Sequence, residues 1–324
     1  MIRIAIAGYG NLGRGTENAV LAAEDLELVA VLTRRDPASV KGPQAPVLRL
    51  SDAESLKGKV DVIAVCAGSA TDLPEMTPAL ARHFTVVDSF DTHADVPRHY
   101  AAVDAAAKAG GNLGLISCGW DPGLFSLMRV LGNSVLPEGA DYTFWGRGVS
   151  QGHSDAIRRI DGVVDARQYT VPVPAAVEAV RRGDRPTLTT REKHTRECFV
   201  VAVPDADKER IEREIKTMPH YFDEYDTTVH FIDLETLRRE HGGLPHGGFA
   251  LRSGSTNFGR EKQTMELRLT LDSNPGFTGS VLAACCRAAY RMVQRGETGC
   301  RTMLDVAPAL LCPLSPEEQR ARLL

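Results

Sequence analysis

Apolar positions open the chain in short, nearly unbroken blocks. Residues 2–7 (IRIAIA) and 28–32 (LVAVL) are such blocks, and 60–66, 85–88 and 112–117 repeat them. Blocks of four to seven apolar residues are the pattern of strands buried on both faces, as in a parallel sheet. Between them, residues 11–24, 73–82 and 96–108 place apolar side chains three and four apart, the spacing of one helix face. Strand and helix in alternation predict an α/β, Rossmann-type doubly wound parallel sheet.

After residue 121 the pattern changes. At 142–145, 163–172, 197–203, 227–232 and 265–271 apolar and polar residues alternate, which predicts strands with one face solvated or covered by a partner. This part reads as an α+β lobe on a mixed or antiparallel sheet. Residues 252–263, rich in Gly, Ser and Asn, read as a loop. Residues 278–294 form an alanine-rich helical pattern closed by Gly296, predicted to return and cover the first sheet. Two domains follow: residues 1–118, dinucleotide-binding and completed by 276–324, and residues 119–275, for substrate binding and dimerisation.

Composition narrows the class. With 324 residues, 43% of them hydrophobic and 25% charged, the chain reads as a soluble two-domain protein. No segment is long and uncharged enough to span a bilayer, and no export signal is visible at the start. Seven cysteines, odd in number and never spaced Cys-x-x-Cys, argue against a disulfide framework and a zinc site and suit the cytoplasm. A formal net charge of −4 with dispersed basic residues leaves no footprint for nucleic acid or an anionic membrane. Small molecules remain as ligands.

The chemistry-bearing motifs sit at the strand ends. Gly8-Tyr9-Gly10-Asn11-Leu12-Gly13 follows the first strand and opens a helix. The first glycine makes the tight turn, the second admits a pyrophosphate, and the third packs helix on strand. After the second strand, Thr33-Arg34-Arg35 stands where an NAD-binding fold carries an acidic residue, and guanidinium groups there fit a 2′-phosphate, so the cofactor reads as NADP. Three further strand ends carry Cys66 with Gly68-Ser69-Ala70-Thr71, then Asp91, then Gly119-Trp120-Asp121-Pro122. Asp121-Pro122 reads both as a helix N-cap with proline in the first turn and as one of two carboxylates, with Asp91, that would hold a substrate amine beside Trp120. In the second lobe the polar residues of interest are Ser150, Gln151, Gly152, His153, Thr170, His194, Arg196, His246 and Asn274, which spacing alone does not join. No metal cluster or nucleophile elbow is present in the sequence.

With these segments in hand, the chain resembles the meso-diaminopimelate dehydrogenase family over nearly its whole length. The resemblance is carried by the dinucleotide turn with Arg14, Gly68-Ser69-Ala70-Thr71-Asp72, Asp88-Ser89-Phe90-Asp91-Thr92-His93, Gly119-Trp120-Asp121-Pro122-Gly123, Phe144-Trp145-Gly146, Ser150-Gln151-Gly152-His153-Ser154-Asp155, Met218-Pro219, Pro245-His246-Gly247-Gly248 and Asn274-Pro275. It implies reversible, NADP-dependent oxidative deamination of meso-2,6-diaminopimelate at its D-centre, giving L-2-amino-6-oxopimelate, ammonium and NADPH, in a homodimer. It further implies that Asp91 and Asp121 contact the D-centre amine, with Trp120 and Trp145 packed around it and Gln151 and Gly152 near that end. Thr170, Arg196 and His246 would bind the distal carboxylate, helped by Asn274. Which carboxylate is the base, or whether His153 relays the proton, stays open. Three other readings fit parts of the pattern: a D-amino-acid dehydrogenase with a broader pocket, a dihydrodipicolinate-type reductase, and a non-catalytic NADPH sensor. The distal carboxylate clamp argues against the first two and the paired carboxylates against the third.

Overall fold

The computed structural model describes residues 1–324, and the chain divides into two units, Met1–Leu127 with Pro275–Leu324, and Met128–Asn274. The first unit is built on one sheet of β1 (Ile2–Ala7), β2 (Leu26–Thr33), β3 (Val47–Arg49), β4 (Val62–Val65), β5 (Val86–Asp88), β6 (Leu113–Ile116) and, from the C-terminal segment, β14 (Gly299–Thr302). Their order is β14-β6-β5-β4-β1-β2-β3 and every pairing is parallel. Strand order reverses at β1, between β2 and β4, and in such sheets ligands bind outside the carboxyl ends at this switch point. Neither β3 nor β14 is announced by an apolar run; both are three- or four-residue edge strands recruited by a neighbour already in place.

Both faces of this sheet are covered. α1 (Asn11–Leu21) and the helix Asn274–Val293 pack on one face through Val20, Val281, Leu282, Cys285 and Met292. α2 (Leu73–Ala81) and α3 (Val96–Gly110) cover the other through Leu73, Met76, Leu80 and Val103. Ile4, Ile6, Val62 and Ile63 are wholly buried between the layers, each contributing about 1.5–3 kcal/mol of burial. The helix after residue 273 starts at Asn274, four residues before the apolar periodicity does, because Pro275 is tolerated in a first turn and Gly276 hides the pattern.

The stretch around Asp121 departs from the N-cap expectation. The amides of Leu124 and Phe125 donate to Gly119 O at 3.1 Å and Trp120 O at 2.8 Å, closing residues 119–123 into a turn of their own. Helix α4 (Leu124–Val135) therefore begins three residues after Asp121, outside the N-cap position. Leu124 and Leu127 pack on the core of the first unit, which carries that unit past residue 118.

The second unit holds two sheets where the sequence pattern predicts one. β8 (Gly148–Val149), β9 (Val163–Pro172), β10 (His194–Ala202) and β11 (Asp226–Phe231) form a mixed sheet in the order β11-β10-β9-β8, with only β10 and β11 parallel. α5 (Gln151–Arg158) and the helix Lys208–Lys216 contribute Ile157, Ile211 and Ile215 to its core. β7 (Gly139–Trp145), β12 (His246–Thr256) and β13 (Glu261–Leu271) form an antiparallel sheet, packed with α6 (Pro174–Arg181) through Tyr142, Phe144, Val177 and Leu251. The expected loop at 252–263 is thus overturned. It is the end of β12, a turn at 257–260 and the start of β13, paired continuously from His246↔Leu271 to Thr256↔Glu261. Its Gly and Ser residues have weak strand propensity, but β12 is hydrogen-bonded on both sides and its neighbours supply what propensity withholds. Asn257 and Phe258 take positive φ angles of 51° and 57°, as the turn requires.

Candidate functional site

In the first unit, β1 delivers the chain into the glycine turn. Gly8 has φ +101°, and a Cβ there would collide with the carbonyl of Cys66 at the end of β4, so no other residue fits. A Cβ on Gly10 would meet nothing within 4 Å, which leaves open space at the N-terminus of α1, where amides and helix dipole favour phosphate. A cavity of about 270 Å³ adjoins it, lined by Gly8, Tyr9, Gly10, Thr33, Arg34, Arg35, Cys66, Ala67 and Asp72 among others. Arg35 donates from Nη2 to the Tyr9 carbonyl at 3.2 Å, and its amide donates to Thr33 Oγ1 at 3.1 Å. Arg34 pairs with Asp72 at 2.9 Å. These groups fit a phosphorylated ribose: two guanidinium ions stand at the end of β2, the position where an NAD-binding fold carries its carboxylate.

Asp72 is absent from the residues to which sequence reading assigns a role. It accepts the Gly68 amide at 3.1 Å besides pairing with Arg34, and the Arg34 guanidinium holds its carboxyl below the usual range. Only its place in the Gly68–Asp72 motif signalled it. Changing Arg34 and Arg35 together to Ala is expected to lower the kcat/KM preference for NADP over NAD by about 10²–10⁴-fold, since each of the two charge-assisted hydrogen bonds lost is worth about 1.5–3 kcal/mol. Steady-state kinetics with both cofactors checks this, and an unchanged ratio would assign the 2′-phosphate elsewhere.

Loops following β4, β5 and β6, three neighbouring strands, carry the remaining first-unit candidates at the carboxyl edge of the sheet. Ser69 Oγ accepts the Asp91 amide at 2.8 Å, lacing the first loop to the second. Asp91 is exposed, Asp121 half-buried, and Trp120 buried edge-on against Phe125 at 5.4 Å between ring centroids. Ala70 and Thr71 complete the first loop just before α2.

In the second unit, strand register joins residues that spacing could not. β9 and β10 pair Thr170 directly with Arg196, and β8 places Gly148 on the other side of Thr170. The ring of His246 lies against Gly148, where an added Cβ would come within 2.6 Å of it. Arg196 is buried and donates from Nη1 to Thr170 Oγ1, with its guanidinium 3.8 Å from the centroid of the Tyr225 ring. No carboxylate of the chain pairs with it and its Nε has no partner; burial pushes its pKa down. A buried cation with only neutral partners is costly unless an anion joins it, so a carboxylate brought to this point would relieve that cost. Tyr225 was not legible, because it approaches Arg196 only through the β10–β11 pairing. His246 Nδ1 accepts the Gly247 amide at 2.8 Å, and burial keeps the ring below its ordinary pKa, which leaves a neutral Nε2–H as a donor.

Gln151 and Gly152 are exposed in the first turn of α5, where Ser150 is the N-cap, and Asn274 opens the helix Asn274–Val293, its amide donating to Leu244 O at 2.9 Å. Trp145 is 38% exposed, the end of β7 presenting it outward, and its amide donates to His194 Nε2 at 2.8 Å beneath a stacked ring. Burial, and then the charge of Arg196, pushes His153 and His194 down to about 4. Both rings are neutral near pH 7.

A stability consequence follows from His194. The unfolded ring takes up a proton near pH 6.5 while the folded ring refuses it until about 4, so the unfolded state binds more protons in that window. Stability is complete above pH 6.5 and is lost as pH falls toward 4, at about 1.4 kcal/mol per unit. The His194→Asn variant, whose side-chain oxygen can still accept the Trp145 amide, is expected to lose less stability than the parent between pH 7 and 4.5, by roughly 2 kcal/mol. Urea unfolding at the two pH values measures the difference, and equal losses would refute the assignment.

No group of three or more His, Cys, Asp or Glu is placed to hold a metal ion, and no helix is long and apolar enough to cross a membrane. Residues 119–273 match the family model of the diaminopimelic acid dehydrogenase C-terminal domain. The chain is 58% identical over 324 residues to the meso-diaminopimelate D-dehydrogenase of Ureibacillus thermosphaericus, covering all of this chain and 99% of the relative. The chain belongs to the meso-diaminopimelate D-dehydrogenase family. Among solved structures it is similar to the C. glutamicum DAP dehydrogenase in complex with DAP, at 48% identity and a TM-score of 0.90, over 100% of this chain and 99% of that one. It is also similar to an engineered D-amino acid dehydrogenase bound to NADP+, at 46% identity and a TM-score of 0.85, again over 100% and 99% of the two chains.

Proposed function

We propose that this chain deaminates meso-2,6-diaminopimelate at its D-centre. It is an NADP-dependent amino-acid dehydrogenase. Meso-diaminopimelate, NADP+ and water give L-2-amino-6-oxopimelate, ammonium, NADPH and a proton, reversibly, and the keto product cyclises to tetrahydrodipicolinate for lysine and cell-wall precursors. The observation that carries the substrate reading is Arg196, a buried guanidinium with a hydroxyl and an aromatic ring as partners and no carboxylate. A second carboxylate on the substrate satisfies it; a simple D-amino acid has none to offer.

In this reading the residues from Gly8 to Gly13, Thr33, Arg34, Arg35, Cys66 and Gly68 to Thr71 hold the cofactor. When bound, NADP+ would supply the acceptor for the hydride that leaves the D-centre carbon. The chain's own residues bind, orient and move protons. Asp91 and Asp121 hold the reacting ammonium, and one of them takes its proton so that the nitrogen lone pair can form the imine. Trp120 and Trp145 exclude water around that carbon until a water is admitted to add, and Gln151 and Gly152 lie near this end. Thr170, Arg196, His246 and Asn274 fix the far carboxylate, so that positioning supplies most of the rate. Neutral His153, tied to Ser150 Oγ at 2.7 Å, is suited to relaying a proton rather than to holding charge.

NADPH formation with meso-, LL- and DD-diaminopimelate and with simple D-amino acids, each with NADP and with NAD, tests this. Turnover confined to the meso isomer with NADP supports the reading, and NADPH binding without turnover on any of them would leave a sensor. We further propose residues 1–118 with 276–324 as the dinucleotide-binding domain and 119–275 as the substrate-binding and dimerisation domain of a homodimer, which sedimentation equilibrium would detect. All seven cysteines are free, which supports a cytoplasmic setting.

A further inference from the structure

Beneath the loops that carry Asp91 and Asp121 lies one wholly buried carboxylate, Asp88, the last residue of β5. Its Oδ1 accepts two backbone amides, Phe90 N and Ser117 N, both at 3.0 Å. Its Oδ2 accepts the Thr77 hydroxyl at 2.8 Å and lies 2.6 Å from His99 Nε2. Four partners occupy the roughly four acceptor sites a carboxylate has, which is what its burial demands. The two amides belong to different loops. Phe90 immediately precedes Asp91, and Ser117 leads through Cys118, whose amide donates to Asp88 O at 2.8 Å, into the turn of Trp120 and Asp121.

Two further observations point to a demand for position at this spot. Ser117 holds φ +57°, a left-handed backbone that a non-glycine residue keeps only where its surroundings over-determine it. The Phe90 ring stacks on His99 at 4.2 Å between centroids and 17° between planes, so the ring next to Asp91 is clamped by a residue of the same cluster.

We infer that Asp88 is a positioning residue for the deamination: it holds the loops of Asp91 and Asp121 in one arrangement, and this rests on the reading that those two carboxylates act on the amine. Asparagine at 88 would turn one oxygen into a donor facing Thr77 and His99, loosening the anchor while keeping the shape. Valine at 77 removes one of the four bonds.

The experiment uses full-length Asp88→Asn and Thr77→Val, with NADPH-binding sites counted by fluorescence titration and kcat expressed per binding site. Asp88→Asn is expected to lower kcat per site with meso-diaminopimelate about 100-fold and Thr77→Val about tenfold, as loss of near-attack geometry does. KM for the substrate should move less than kcat, and NADPH affinity should stay within about twofold, because the dinucleotide turn does not touch Asp88. A purely structural role would instead reduce the number of sites and leave kcat per site unchanged, which would overturn the inference. If Asp88→Asn does not fold, an unchanged kcat per site in Thr77→Val overturns it alone. Asp91→Asn and Asp121→Asn are measured in parallel. If they lose activity while both cluster variants keep it, the positioning role fails by itself; if they keep full activity, the reading beneath it fails.

Discussion

Asp121→Asn is expected to lower kcat by about 10³–10⁴-fold while leaving NADPH binding intact. Asparagine preserves size and can still accept a hydrogen bond, but it neither balances the substrate ammonium nor takes its proton. General-base catalysis by a positioned group is worth about 10²–10⁴-fold, and loss of the charge partner adds to it. Asp91→Asn is the internal comparison. Asp91 is exposed and held only through its amide by Ser69, whereas Asp121 is half-buried in the turn 119–123, so its environment exchanges less readily with water. The variant with the larger loss in kcat, accompanied by loss of the acid limb of the pH–rate profile, identifies the base. Parent-like kcat in both would remove the carboxylate mechanism altogether.

Arg196→Met is expected to act in two opposite directions. Toward meso-diaminopimelate, kcat/KM should fall by about 10²–10³-fold, because truncating one partner of a buried charge pair costs about 2–5 kcal/mol. In the ligand-free protein the same change should raise Tm. The parent buries a guanidinium with no anion, and a methionine of similar length fills that space without the desolvation cost. Simple apolar D-amino acids, lacking a second carboxylate, should lose nothing and gain from the apolar wall. Calorimetry without ligand and kinetics on both substrate types measure the two effects. A fall in Tm with unchanged kinetics would make Arg196 a structural cation held by Tyr225 and Thr170, and would take the distal clamp with it.

The sequence is legible where a requirement is local. A tight turn, a close approach of backbone and a phosphate at a helix N-terminus are all demanded within Gly8–Gly13, so the residues at those positions state the chemistry. It misleads where a neighbour overrides propensity. Residues 252–263 look like a loop because Gly and Ser weaken a strand, yet β12 is paired on both sides and β13 follows it residue for residue. Asp121-Pro122 has the composition of a helix start, yet the two amides such a cap would serve bond elsewhere, Gly123 N to Ser126 Oγ and Leu124 N to Gly119 O.

The chain's own pattern therefore determined the parallel sheet and the glycine turn after β1, because each follows from periodicity or from the backbone geometry of a few consecutive residues, and it put two arginines after β2 and carboxylates after β5 and β6. Only the tertiary structure decided which side chains meet. Arg196 lies opposite Thr170, 26 residues away, through the register of β9 and β10. Asp88 gathers Thr77, His99 and Ser117 from 11, 11 and 29 residues away. Such contacts depend on strand order and packing between distant segments, which periodicity does not encode; family resemblance names Thr170 and Arg196, but their contact and the four bonds to Asp88 exist only in three dimensions.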